Sequence, residues 1–194
     1  MRPAIHWVMD ELYKFGFLSP DDQQFYYPNV WAIEPTTGPN RIVLAPSCSQ
    51  IDLLLRLIEV IPEPLWVLYV LVVPRGESEA GRYESVEPQT HESITQFLRD
   101  FKTFFETDGR HHLWIASSTS PAMLVYDRHN LIYGYGPLDE FQKIALESGL
   151  QETSEVKLSF AHTHHYNHHF DEDAKRVHSY WPWIRTPLGD GDDL

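Results

Sequence analysis

The chain of 194 residues carries 15 Lys+Arg against 28 Asp+Glu, a formal net charge of −13, with 42% hydrophobic and 13% aromatic residues. That length suits one domain with a real core, and the aromatic content excludes a disordered or collagenous class. An acidic surface with no basic stripe repels phosphate backbones and anionic lipid, so neither nucleic acid nor membrane is an expected partner.

At the N-terminus, Ile5, Val8, Met9 and Leu12 share one helical face, which predicts a helix over Pro3 to Phe15 with Gly16 as its cap. Asp10 and Glu11 lie inside that pattern, so it does not read as a secretory signal. A proline-punctuated stretch, Ser19 to Asn29, follows with Phe25, Tyr26 and Tyr27. Strands are predicted at Val30–Ile33 and Arg41–Ala45, joined by the turn-rich Glu34–Asn40. Ser47 to Ile61 predicts a helix: Ser47 and Gln50 have capping-box spacing, and Ile51, Leu54, Leu55, Ile58 and Ile61 recur at helical period.

The run Trp66–Val73 is apolar on both faces, as a covered central strand would be, and is too short to span a bilayer as a helix. Strand, helix and strand in succession predict a parallel β-α-β crossover. Arg75–Pro88 reads as an exposed loop, carrying an acidic cluster of Glu77, Glu79, Glu84 and Glu87 that solvation explains. Thr90 to Thr107 predicts a single long helix through Ile94, Phe97, Leu98, Phe101, Phe104 and Phe105, ended by Gly109.

An antiparallel meander is predicted next, at His112–Ser117, Met123–Asp127 and Leu131–Tyr135, with Asp127-Arg128-His129-Asn130 as a tight turn. Gly134-Tyr135-Gly136-Pro137 lacks the Lys-Ser/Thr of a phosphate loop and reads as a turn into a helix over Leu138–Ser148. Glu155 to about His164 alternates as a strand, and Asp171 to about Tyr180 reads as a helix with acids in its first turn. Residues Pro182 to Leu194 read as an extended acidic tail. The expected fold is therefore α+β, one domain over residues 1–194, with a single mixed sheet of about five to seven strands and helices packed on it.

Five of the eleven histidines fall between His162 and His169. Residues two apart on a strand point the same way, so His162 and His164 extend one face, at a spacing that lets two imidazoles share an ion such as Zn. A further ligand is expected from His165, His168, His169 or Asp171, or from Glu172, as the chain leaves the strand. The plainer alternative is a strand end with one hydrogen-bonded core histidine and several solvated ones; a pH-sensing patch beside the Asp171–Asp173 acids is a third reading. Cys48 stands where a strand passes into a helix N-terminus, but without Cys-x-x-Cys it reads as a small residue fitting a turn. As the only cysteine it excludes an internal disulfide and fits a reducing, cytoplasmic setting.

No complete catalytic signature is present, so the leading expectation is a non-enzymatic binding protein whose acidic surface engages a basic protein partner. In size and charge alone it is similar to inhibitor- and immunity-type proteins. The alternative is a His-rich metal-binding protein, a metal-dependent hydrolase among the options, built on His162 and His164.

Overall fold

A computed structural model describes residues 12–18, 23–76, 78–157 and 160–192. Most of the helix expected over Pro3–Phe15 lies outside these residues. Its end does not: Phe15–Phe17 is strand β1, because Gly16, lacking a Cβ, lets the backbone press against the carbonyl of Gln23.

Strands β2 (Val30–Glu34) and β3 (Arg41–Ala45) form as the β-branched and apolar runs predict. Helix α1 (Gln50–Ile58) follows, but not through the Ser47/Gln50 capping box: Ser49, at φ 56°, makes no side-chain cap, and Glu106 Oε1 accepts from Ile51 N at 2.9 Å instead. Strand β4 (Leu65–Leu71) comes next, and the stretch expected as a loop contains β5 (Gly81–Ser85), where Gly81, Tyr83 and Ser85 point inward and Arg82 and Glu84 outward. The long helix expected over Thr90–Thr107 is two, α2 (His91–Asp100) and α3 (Lys102–Thr107), broken at Phe101 (φ −115°). Phe97, Phe101, Phe104 and Phe105 are all buried, so the break leaves the apolar face continuous.

The meander is β6 (His111–Ser117), β7 (Met123–Tyr126) and β8 (Ile132–Tyr135), antiparallel throughout. Helix α4 (Leu138–Glu147), the short β9 (Gln151–Glu152), β10 (His162–His164), helix α5 (Asp171–Tyr180) and β11 (Trp183–Thr186) complete the chain. Of the strand expected over Glu155–His164, only β10 is strand among the described residues. The expected tail is in part an edge strand, β11, and Asp192 beyond it folds back onto Arg82 with two bonds of 2.8 Å.

The fold is α+β, and the sheet is larger than the sequence suggests. Nine strands run in the order β11-β5-β4-β6-β7-β8-β3-β2-β9, and β1 pairs with β10 in a separate two-stranded sheet. Strands β3 and β4 point the same way, as a β-α-β crossover requires, but β8, β7 and β6 lie between them, so α1 bridges a wide gap. The main core holds Ile42, Leu44, Val67, Tyr69, Leu113, Ile115, Leu124 and Ile132 against the helices. Their strand neighbours Val43, Ala45 and Leu131 face a second cluster with Phe15 and Tyr27, which anchors the small sheet. No helix among the described residues is long and apolar enough to cross a membrane.

Candidate metal centre

The docked small sheet brings β10 to the turn between β7 and β8. That turn is built by Asp127, whose Oδ1 accepts from His129 N and from Leu131 N, both at 2.8 Å, while Asn130 takes the left-handed conformation at φ 60°. His129 is thereby fixed opposite His162 and His164. One nitrogen of each of the three rings lies within 4.8 Å of the others. Ring centroids are 5.0 Å apart for His129–His162, 4.8 Å for His129–His164 and 5.2 Å for His162–His164, close to an equilateral triangle.

Hydrogen bonding sets which nitrogens face inward. His129 Nδ1 lies 3.1 Å from Asp127 Oδ2, and His162 Nδ1 lies 3.1 Å from the carbonyl oxygen of Phe160. Both partners can only accept, so both Nδ1 atoms carry the proton. In the neutral rings the two Nε2 atoms therefore point lone pairs at each other across 3.2 Å. Two imidazoles on one tetrahedral zinc, with Zn–N of about 2.0–2.1 Å, would place their nitrogens about 3.3 Å apart. The third ring adds an orphan: Nδ1 of His164 is buried and has no hydrogen-bond partner among the described residues.

Aromatic side chains cover one side of the half-buried triangle. Phe15 sits nearly equidistant from all three, at 5.9, 6.1 and 6.2 Å, closing one side of the triangle, with Phe25, Tyr27 and Phe160 behind it. Burial pushes His164 down to about 2, and the charge of Arg128 and the neighbouring histidines add to it. Burial alone would raise Asp127, yet the bond from His129, with His129 and His112 nearby, holds it below the ordinary aspartate value. A carboxylate that orients a histidine through Nδ1 is the usual outer support of a metal-bound imidazole.

The other residues expected as ligands lie outside this group. The alternation that puts His162 and His164 together turns His165 away, and its ring lies 4.2 Å from that of Tyr13. His168 and His169 are exposed in a 3-10 turn. Asp171 faces Arg75 at 3.3 Å and Arg110 at 3.4 Å, and Glu172 pairs with Lys175 at 2.6 Å. Cys48 is exposed and does not belong to the group. Sequence reasoning missed His129 and Asp127, whose one signal was an acid and a histidine two apart in a predicted turn.

A cleft of about 750 Å3 lies elsewhere, lined by Arg75, Arg110, Asp171, Lys175 and Arg185. Its guanidinium groups are matched by acids: Arg75 by Asp171, Arg185 by Glu79 at 2.9 Å, and Arg110 by Asp108 at 2.7 Å. It therefore offers less unspent chemistry than the histidine triangle. The chain matches no protein-family model, no curated protein and no solved structure.

Proposed function

We propose that the chain is a metal-binding protein that holds one divalent transition ion, zinc by its ligand set, on His129, His162 and His164. The observation that carries this reading is the pair of Nε2 lone pairs facing each other at 3.2 Å. One shared proton would relieve that pair but not the third ring, whereas a cation serves all three. Three imidazoles leave a fourth position for water, the arrangement of catalytic zinc sites, where the ion lowers the water's pKa to about 7. That open position favours a hydrolytic or hydration activity over a purely structural ion.

The test is elemental analysis of untagged protein purified without a nickel column, which should give about one zinc per chain. His129→Ala should lower zinc affinity more than about a hundredfold, beyond the range seen for outer-shell groups. Absence of stoichiometric metal, together with no zinc uptake in calorimetry, would overturn the proposal.

Gly109 supplies a subtler check. A Cβ there would lie 2.8 Å from Lys14 O and 3.1 Å and 3.2 Å from Cβ and Nδ1 of His164. Gly109→Ala must therefore shift the Lys14 backbone and crowd the third ring, and we expect a loss of about tenfold in zinc affinity in competition with a chelating dye. Wild-type affinity in that variant would count against a closely fitted ligand at His164.

The net charge of −13 supports a second reading, in which the acidic surface engages a basic protein. Such association should weaken steeply between low and physiological salt, and a salt-independent partner would sink it.

A further inference from the structure

Arg110 and Arg128 are both buried, at 1% and 6% exposure, yet their surroundings differ. Arg110 is matched by both oxygens of Asp108, at 2.7 and 2.9 Å, and by Asn167 O at 3.0 Å. Arg128 has one bond, from Nη2 to the hydroxyl of Tyr166 at 2.7 Å; its Nε is buried without a partner, and no carboxylate pairs with it among the described residues. A guanidinium has five donors and cannot shed its charge, so leaving one buried without a carboxylate is a marked departure from the treatment of Arg110.

The place of this departure is informative. Arg128 is the residue before His129, and Tyr166, which it holds, comes two residues after His164. Arg128 thus ties together the two segments that carry the candidate ligands. Nearby acids are already engaged: Asp108 with Arg110, Asp127 with His129, and Glu106 with Ile51 N. A divalent ion on the three histidines would add to the charge of Arg128, and each of these three acids already serves another partner.

We infer that the fourth position of the metal centre takes a small oxyanion of carboxylate or phosphate type, one oxygen on the ion and another on Arg128. This rests on the metal-binding reading above. An oxyanion fits because its charge balances the pair of cations, its oxygen suits zinc, and its planar edge matches the guanidinium fork. In a hydrolytic or hydration reaction the same groups would hold an anionic product in the position that water would occupy before the reaction.

The experiment uses cobalt(II)-loaded full-length protein, whose visible absorption reports changes in coordination. Acetate, bicarbonate and inorganic phosphate are titrated separately, which distinguishes carboxylate from phosphate as the preferred source. A saturable spectral change is expected with at least one of them. Arg128→Ala should keep cobalt but bind that anion at least about tenfold more weakly, and Arg128→Lys, which keeps the charge and loses the fork, should fall between. If wild type takes up cobalt but no anion perturbs its spectrum, or if Arg128→Ala binds the anion as wild type does, the inference is overturned while the metal site stands. Failure of wild type to bind cobalt would instead remove the metal reading and this inference with it. Should Arg128→Ala not fold, the wild-type titration and the lysine variant still decide.

Discussion

Replacing Asp127 by alanine will destabilise the metal-free protein by about 3–5 kcal/mol and weaken zinc binding as well. The carboxylate is 9% exposed and accepts three hydrogen bonds, from the backbone N–H groups of His129 and Leu131 and from His129 Nδ1. Alanine leaves those donors without an acceptor and removes a negative charge near the buried Lys14. Asparagine separates the two roles. Its carbonyl oxygen can still accept from both backbone groups, so the stability loss should be about 1–2 kcal/mol. Its NH2 group then faces His129 Nδ1, which must become an acceptor and send the ring proton to Nε2, the nitrogen needed for metal. Zinc affinity of Asp127→Asn should therefore fall about 10–100-fold with the fold largely intact. Urea denaturation of the metal-free variants and zinc titration give the two numbers. Wild-type zinc affinity in the asparagine variant would rule out an orienting role for Asp127.

The second large effect is a stability optimum displaced toward alkaline pH in the metal-free protein. Lys14 is 1% exposed, donates to the carbonyls of Phe105 and Asp127 at 2.9 and 2.8 Å, and lies 4.0 Å over the Tyr126 ring. Burial lowers its pKa from 10.5 to about 7, although Asp127, Asp108 and Glu106 oppose the shift. Between those two values the unfolded chain binds the extra proton, so stability rises with pH across the window, by about 1.4 kcal/mol per unit of pKa difference at most. On the acid side, burial lowers His112 from 6.5 to about 4 and holds the fully buried His111 well below its ordinary value. Both must be charged in the unfolded chain first, so stability is lost as pH falls through that range. Above pH 10 the trend reverses, because burial raises Tyr69 and Tyr126 and only the unfolded chain can ionise them readily. Thermal melting across pH should peak near about pH 9–10, above the usual range of about 5–8. Lys14→Met should flatten the rise between neutral pH and the peak. A rise of undiminished slope in that variant would assign it to other groups.

What could be read in the sequence follows the range of the interactions involved. Continuous apolar runs such as β4 and helical periods such as α1 and α2 depend on neighbours a few residues away, and composition reports them well. The break at Phe101 escaped because the apolar spacing runs straight through it. Strand β5 escaped because its alternation is carried by Gly81, Tyr83 and Ser85, two of which are not apolar. The pairing of β1 with β10 joins segments at opposite ends of the chain, and no local pattern encodes such a partnership. The candidate site divides the same way. His162 and His164 are legible from strand period, whereas His129 stands 33 residues from His162 and becomes a neighbour only when the small sheet docks. The density of histidines after β10 drew attention to His168 and His169, which are exposed instead.

That docking has a kinetic consequence. Two of the proposed ligands belong to the two-stranded sheet and the third to a turn of the nine-stranded one. Isolated two-stranded pairs are marginal on their own, and this one is held through Phe15 and its cluster and by bonds such as Gly109 N to His165 O at 2.9 Å. An ion bridging the two sheets would leave when the small sheet lifts, without the large one opening. Its exchange rate would then track a local opening rather than global stability. A chelator should strip the ion from protein whose main sheet stays protected from hydrogen exchange, while the amides of β1 and β10 become the first to exchange.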